Sequence, residues 1–326
     1  MTYQFHPGKA SVLKDKVVVL TGGALGVGAS VVRILHSTGA HVFFGDVLDE
    51  PGTALEQELS TNPKTTIKYI HCDVTSYEQN LGLFDAALQA FGRIDHAIAN
   101  AGIGEQGSMF DPNLTLETVR EEPDREMKVV DVNLKGELYF ARIASVYMQQ
   151  GADNQQSRGD KSLTLVSSVA GFREDPGLNV YVPAKHGVLG LMRVLREYVQ
   201  ALCGHLEDHP DIEPRLLINS SPCPIRTNAI SPWMTKTRLT QQIEGPFEEA
   251  GLPSNTAEDV ANVIVGVLSE SSLNGGTLYI EGGRAWNIEA GLMKLKPQWI
   301  GVKQNSDLDK GTQLMGSGDH WIRKDA

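Results

Sequence analysis

Tyr181 and Lys185 lie four positions apart, at the start of a stretch that reads as a helix, so they share one face. A free tyrosine, with a pKa of about 10, is a poor base near neutrality. A neighbouring ammonium favours the phenolate and can lower that value by a unit or more. Such a pair can take a proton from a hydroxyl or return one. The spacing alone is also what two ordinary surface residues would give. A second cluster lies near the N-terminus, where Thr21-Gly22-Gly23-Ala24-Leu25-Gly26-Val27-Gly28 follows a short apolar run and leads into a helical pattern. Glycines let the chain turn sharply and approach a pyrophosphate, and the helix start offers unpaired N–H groups and positive potential. Asp46 closes the next apolar run, 18 positions after Gly28. A carboxylate there can accept hydrogen bonds from the adenosine ribose and repel a ribose phosphate. No Arg or Lys lies within Thr21–Gly28, so NAD is favoured over NADP.

These groups need strands and helices in alternation to position them. Lys16–Leu20, His41–Gly45, Thr66–His71, Ile94–Ala99, Leu163–Ser167, Arg215–Ser220 and Thr277–Glu281 read as strands. The first is β-branched and uninterrupted, as expected of a strand covered on both faces. Helical patterns fall between them at Gly26–Ser37, Pro51–Ser60, Tyr77–Phe91, Asp124–Gln149, Tyr181–Cys203 and Thr256–Ser269. This alternation predicts an α/β fold: a doubly wound, mainly parallel sheet of about seven strands, Rossmann-like, with helices on both faces. No composition break marks a second core, so residues 1–326 read as a single domain. Its core is about 14–283, and an extension, 284–326, has no strong period and reads as a surface-hugging or frayed terminus.

The motifs occur in a particular order. Thr21-Gly22-x-x-x-Gly26-x-Gly28 is followed by Asn100-Ala101-Gly102, Asn133 in Val132-Asn133-Leu134, Ser168 in Val166-Ser167-Ser168, and Tyr181-x-x-x-Lys185. Together they resemble the short-chain dehydrogenase/reductase family over about Lys14 to Gly283. The resemblance implies that Tyr181 is the general acid/base and that Lys185 holds the nicotinamide ribose and acidifies Tyr181. Ser168, 13 residues before Tyr181, would hydrogen-bond the substrate oxygen. Ser167 reads as a strand-end hydroxyl, and the choice between the two serines stays open. Asn133 resembles the residue that holds a relay water by distorting its helix. Asp73 and Val74 resemble the pair beside adenine, and Asn100, Ala101 and Gly102 the stretch behind the adenine ribose. Ile225 and Thr227 match the segment that meets the nicotinamide amide and pyrophosphate. The family usually has Pro-Gly where Pro222-Cys223 stands here, and Cys cannot adopt positive φ as cheaply as Gly.

The net charge of −11 argues against nucleic acid, which normally meets a basic face. No segment reaches the roughly 20 apolar residues that span a bilayer, and the polar start Met1–Ser11 lacks the apolar run of a secretory signal. Cys72, Cys203 and Cys223 follow no metal-ligand spacing; no metal and a reduced, cytoplasmic location are expected. Loops Ile103–Pro123, Phe172–Val180 and Asn228–Ser254 should shape the substrate pocket, with Met109, Phe110, Phe172, Leu178, Trp233, Met234 and Phe247 as apolar candidates. Roughly half of these are expected to serve only loop packing. The expected reaction is hydride exchange between NAD(H) and a secondary alcohol or ketone, with a bulky apolar intermediate of secondary metabolism as substrate. A non-redox isomerase or cyclase on the same fold, or a non-catalytic NAD-binding protein, are the alternatives. The resemblance also implies a homodimer or homotetramer, joined through the helices at Asp124–Gln149 and Tyr181–Cys203.

Overall fold

A computed structural model describes residues 2–3, 7–60, 64–150, 159–202 and 225–315. Its strands are β1 (Thr2–Tyr3), β2 (Val17–Thr21), β3 (His41–Asp46), β4 (Ile67–His71), β5 (His96–Ala99), β6 (Lys161–Val166), β7 (Ile225–Pro232), β8 (Thr277–Glu281) and β9 (Arg284–Asn287). They form one sheet in the order β1-β9-β8-β7-β6-β5-β2-β3-β4. Strands β2 to β8 run parallel, while β9 and β1 add an antiparallel margin. The seven parallel strands match the expected number.

Strand β2 shows why the sheet is covered twice. All five of its residues are buried. Val18 and Leu20 join a core with Val31, Leu35, Val260 and Ile264 on one face. Val17 and Val19 join Leu83, Phe140, Val188 and Met192 on the other. The first core is supplied by α1 (Gly26–Thr38) and α8 (Ala257–Ser269), the second by α3 (Tyr77–Phe91), α5 (Gly136–Tyr147) and α6 (Tyr181–Leu202). A continuous apolar strand, with such side chains on both faces, belongs between two helical layers. Helix α8 starts with a reciprocal capping box between Thr256 and Asp259.

Strand order reverses between β2 and β5: β3 and β4 lie to one side of β2, and β5 to β8 to the other. Doubly wound sheets bind ligands beyond the C-terminal strand ends at such a switch. The remaining helices are α2 (Asp49–Leu59), α4 (Asp124–Val130), α7 (Gln241–Glu249), α9 (Glu289–Ile300) and α10 (Val302–Met315).

Two expectations change. The extension is ordered as β9, α9 and α10 up to Met315. Its anchor is Glu289, a buried carboxylate that accepts from Arg193 and Arg196 of α6, at 2.9 Å each, and from Thr277. Burial raises the Glu289 pKa, but Arg193, Thr277 and Arg196 together outweigh it and hold the carboxyl below its ordinary value. The expected strand Arg215–Ser220 lies outside the described residues. The place between β6 and β8 is taken by Ile225–Pro232.

Candidate active site

The glycine run turns out of β2 above the switch point. Gly22 has φ +68, a conformation that favours glycine, and a Cβ there would lie 2.7 Å from Ala101 Cα. Gly28, in the first turn of α1, passes so close to Gly22 that a Cβ would meet the Gly22 carbonyl oxygen at 1.9 Å. Asn100 binds the turn from β5: its Nδ2 donates to the carbonyls of Thr21 and Gly22 at 3.2 and 2.9 Å. The Thr21 hydroxyl accepts from the Asn100 and Ala101 amides in return.

At the N-terminus of α1, Leu25 supplies no side-chain cap, so the first amides of the helix, Val27 among them, have no partner from the cap residue. Gly26 has φ +56, and Thr237 lies against it: a Cβ there would meet Thr237 Cγ2 at 3.5 Å. An uncapped helix start behind a glycine turn fits a dinucleotide pyrophosphate. Asp46 stands at the end of β3, half-buried, with Oδ2 accepting from Ala24 N at 3.0 Å and Oδ1 from Leu48 N at 3.1 Å. Each carboxylate oxygen keeps accepting capacity for a ribose hydroxyl. Asp73 accepts from both the amide and the hydroxyl of Thr75, and Val74 is buried beside it against Gly136.

Helix α6 presents Tyr181 in its first turn and Lys185 one turn on. Its start is held from another loop: Glu105 accepts from the amides of Val180, at 3.0 Å, and Tyr181, at 2.7 Å. This carboxylate does what an N-cap residue ordinarily does. Glu105→Ala should cost about 1–2 kcal/mol, as lost caps do, and loosen Tyr181. A lower midpoint in thermal unfolding together with a lower kcat is expected; unchanged values of both would contradict the role.

Lys185 is buried. Its Nζ donates to the Val166 carbonyl at 2.8 Å and to Glu137 Oε1 at 3.2 Å, which leaves one N–H of the ammonium for a further acceptor. A Cβ on Gly102 would come 3.1 Å from Asn133 Oδ1 and 3.7 Å from Lys185 Nζ, so the two side chains converge at that glycine. Asn133 is buried in a five-residue π-helical segment, Asp131–Lys135, between α4 and α5. Its amide makes paired bonds with the Ile103 backbone, both 2.8 Å. The local distortion expected at Asn133 is present, as π-bulges often are at functional sites.

The serines separate by geometry. Ser167 is buried and donates to the Lys185 carbonyl at 2.9 Å. Ser168 is part-exposed and accepts from Ala170 N at 3.2 Å, which leaves its own proton for a ligand oxygen.

Ile225 and Thr227 do not follow a strand, as expected, but begin β7, where both are buried. They pair with Lys161 and Leu163 at the start of β6, the opposite end of the parallel sheet from Gly22 and Asp46. No nicotinamide contact is available to them. The segment that leaves the correct end of β7 runs from Pro232 through Trp233 to Thr237, so the register shifts from Pro222 to Pro232, with Trp233 in the place given to Cys223. Thr235 is buried and bridged to Asn255, and Thr237 lies over Gly26. Trp233 packs on Phe247, with centroids 5.5 Å apart, beneath the Arg173 guanidinium at 5.0 Å. Of the other pocket candidates, Met234 is buried, Phe172 packs edge-on against Tyr279, and Phe110 stands exposed.

Glu137 was not anticipated. It is fully buried, and burial pushes its carboxyl up to about 7 although Lys185 pulls it back. A raised carboxylate favours the protonated fold. The contribution of this group to stability is therefore present below 4.5 and lost as pH rises through 7. Relative to Glu137→Gln, wild type should lose thermal stability across that window; parallel melting profiles would contradict it.

The glycine turn, the Asp46 carboxylate and the helix that starts with Tyr181 and Lys185 lie at one end of the sheet, the end where doubly wound sheets bind a dinucleotide. The comparisons agree: a family model for short chain dehydrogenase matches residues 16–201. The short-chain dehydrogenase/reductase ascJ of Acremonium egyptiacum is 32% identical over 316 residues, 95% of each chain. The short-chain dehydrogenase/reductase prx4 of Penicillium roqueforti is 31% identical over 92% of this chain and 84% of its own. A short-chain type dehydrogenase/reductase from Mycobacterium ulcerans shares the fold, with TM-score 0.65 and 23% identity over 83% of this chain and 90% of that one. The chain belongs to the short-chain dehydrogenase/reductase family. It is an oxidoreductase of that family, with a nicotinamide cofactor and a small-molecule substrate.

Proposed function

We propose that the chain is an NAD-dependent dehydrogenase or ketoreductase acting on a bulky, largely apolar secondary alcohol or ketone of secondary metabolism. The observation that carries this reading is the convergence of Lys185 and Asn133 at Gly102, with Tyr181 one turn before Lys185 on α6 and Ser168 just beyond the end of β6 with its proton free. A bound nicotinamide dinucleotide supplies the hydride acceptor or donor. The chain does the rest. Ser168 donates to the substrate oxygen and Tyr181 moves the proton at that oxygen. Lys185 holds the nicotinamide ribose, and Asn133 keeps the π-helical turn in register. Thr21, Gly22, Gly26, Val27 and Gly28 grip the pyrophosphate, and Asp46 selects NAD through the ribose. Asp73, Val74, Asn100, Ala101 and Gly102 back the adenosine, while Thr235 and Thr237 take the place first given to Ile225 and Thr227.

Apolar side chains left exposed after β5, at Phe110, Leu116 and Val119, and after β7, at Leu239 and at Ile243 of α7, favour an apolar substrate. Leu239 reaches across to within 3.3 Å of a Cβ on Gly104. Relatives named for polycyclic alcohols point the same way: a 3-alpha-(or 20-beta)-hydroxysteroid dehydrogenase of Mycobacterium tuberculosis, at 28% identity, and (+)-borneol dehydrogenase 1 of Salvia officinalis, at 30%. Exposed Leu138 and Val146 on α5 and Val194 on α6 support a homodimer or homotetramer through these helices. Residues 1–326 act as one catalytic domain, working in the cytoplasm. No helix among the described residues is long and apolar enough to cross a membrane.

The test is incubation with NAD and a panel containing (+)-borneol, a 3α-hydroxysteroid and trans-4-hydroxycyclohexanecarboxylate, followed by NADH absorbance. Reduction of NAD with at least one apolar alcohol is expected. Tight NAD binding without NADH formation, and without NADH oxidation by the matching ketones, would favour isomerisation, cyclisation or a binding role.

A further inference from the structure

Asn133 and Glu137 stand one turn apart on the same face of the α4–α5 helix, and both are buried against the catalytic helix α6. The residues around Glu137 in sequence, Leu138, Tyr139, Phe140 and Ala141, are apolar or aromatic. A carboxylate fully withdrawn from water there is costly unless it is paired. Its pairing is incomplete. Oε1 accepts from Lys185 Nζ at 3.2 Å, while Oε2 is buried with no hydrogen-bond partner among the described residues. Oε2 therefore keeps its lone pairs free of any donor among the described residues, next to a narrow crevice lined by Thr21, Val74, Ala99, Ala101 and Val132.

Among the described residues, the neighbouring elements bring no competing charge. From β2 comes Thr21, and from β5 and the loop beyond it Ala99 and Ala101. After β4 stands Val74, with the Asp73 carboxylate occupied by Thr75. On its own helix, Asp131 and Lys135 form an exposed ion pair with each other. From α6 come Tyr181, one turn before Lys185, and His186, whose ring bonds the Val182 carbonyl. Among the described residues, Lys185 is the one charge acting on Glu137.

We propose that Glu137 is a positioning residue that holds the reaction proton at the buried end of the Tyr181–Lys185 pair. The inference rests on the dehydrogenase reading above. In alcohol oxidation the substrate O–H bond breaks and a Tyr181 Oη–H bond forms. One Nζ–H bond of Lys185 breaks as its proton passes along the 3.2 Å contact to Glu137 Oε1, and the amine is refilled with the Tyr181 Oη proton on its third position, the one not held by Val166 or Glu137. Charge and protons balance over a full cycle: the alcohol proton rests as a Glu137 carboxyl proton, and its release from the unpartnered Oε2 side to solvent through the crevice restores the carboxylate before the next turnover. In ketone reduction the carboxyl proton travels back. Titration near 7 suits such a store, because a group is most useful as donor and acceptor near working pH.

The test has one readout without turnover and one with it. In infrared difference spectra of the full-length protein, a buried carboxylic-acid band should be present at pH 6, vanish by about pH 8, and be missing from Glu137→Gln. Lys185→Met should keep that band to higher pH, since the opposing charge is gone. Absence of any band assignable to Glu137 overturns the proposal. With the panel alcohol that wild type oxidises fastest, Glu137→Gln should lower kcat about tenfold, less than a direct acid/base would. It should also remove the limb near neutrality from the pH profile, with KM little changed. Glu137→Asp should restore part of that limb. A Glu137→Gln profile that overlays wild type, with Tyr181→Phe inactive, overturns this inference alone. An active Tyr181→Phe overturns the dehydrogenase reading on which it stands.

Discussion

Tyr181→Phe should lower kcat for alcohol oxidation by about a thousandfold, within the range that positioned acid/base groups contribute, while the NAD dissociation constant stays within about twofold. Tyr181 sits half-buried at the first turn of α6, and its main-chain amide, not its ring, bears the Glu105 contact that seats the helix. Removing the hydroxyl therefore leaves the fold and the dinucleotide site in place and takes away the proton transfer alone. Isothermal titration for NAD and single-turnover kinetics for the chemical step separate the two effects. Activity within a few-fold of wild type would remove Tyr181 from the mechanism.

The second large effect is on cofactor choice. Asp46 presents a carboxylate at the end of β3, fixed by the Ala24 and Leu48 amides, where a ribose phosphate would meet like charge. Val47, next in the chain, is exposed and gives an arginine room beside it. Asp46→Ala combined with Val47→Arg should raise the kcat/KM ratio for NADP over NAD by about a hundredfold, equivalent to about 2.7 kcal/mol. Two changes contribute: a repulsion is removed and a bidentate phosphate partner added. The lost amide bonds cost stability, so the melting temperature should fall modestly while the ratio rises. Equal discrimination before and after would mean that Asp46 does not face the ribose.

Much of the architecture was legible because its signals are local. The β-branched run of β2, the glycine turn and the period of α1 each declare themselves within a dozen residues, and the parallel order follows from their alternation. Strand β7 shows where locality fails. Leu216-Leu217-Ile218 before Pro222 and Ile225–Pro232 both carry strand composition ending at a proline. Pairing with Lys161–Val166 and Thr277–Ile280 decides between them, and neither partner is near in sequence. The same misreading displaced Ile225 and Thr227 and hid the contact of Thr237 with the glycine turn.

Glu105 and Glu137 were missed for a related reason. A glutamate in a loop or on a helix ordinarily reads as solvated. The helix start that Glu105 caps lies 76 residues away, and the lysine that Glu137 meets lies 48 away. The one clue was compositional: a lone carboxylate at an i+4 position from Asn133, within an otherwise apolar face. The extension showed little periodicity, and its order comes from Glu289 meeting two arginines of α6, a tertiary contact that no window of sequence contains.

Hydride exchange itself is tested most directly by isotope transfer. The protein is incubated with NAD and a panel alcohol carrying deuterium on the carbinol carbon, and the reduced nicotinamide is then analysed by mass spectrometry and NMR. One deuterium at nicotinamide C4 and a ketone of matching amount are the expected result. Nicotinamide without label, with deuterium kept on an isomerised product or lost to solvent, would contradict the account.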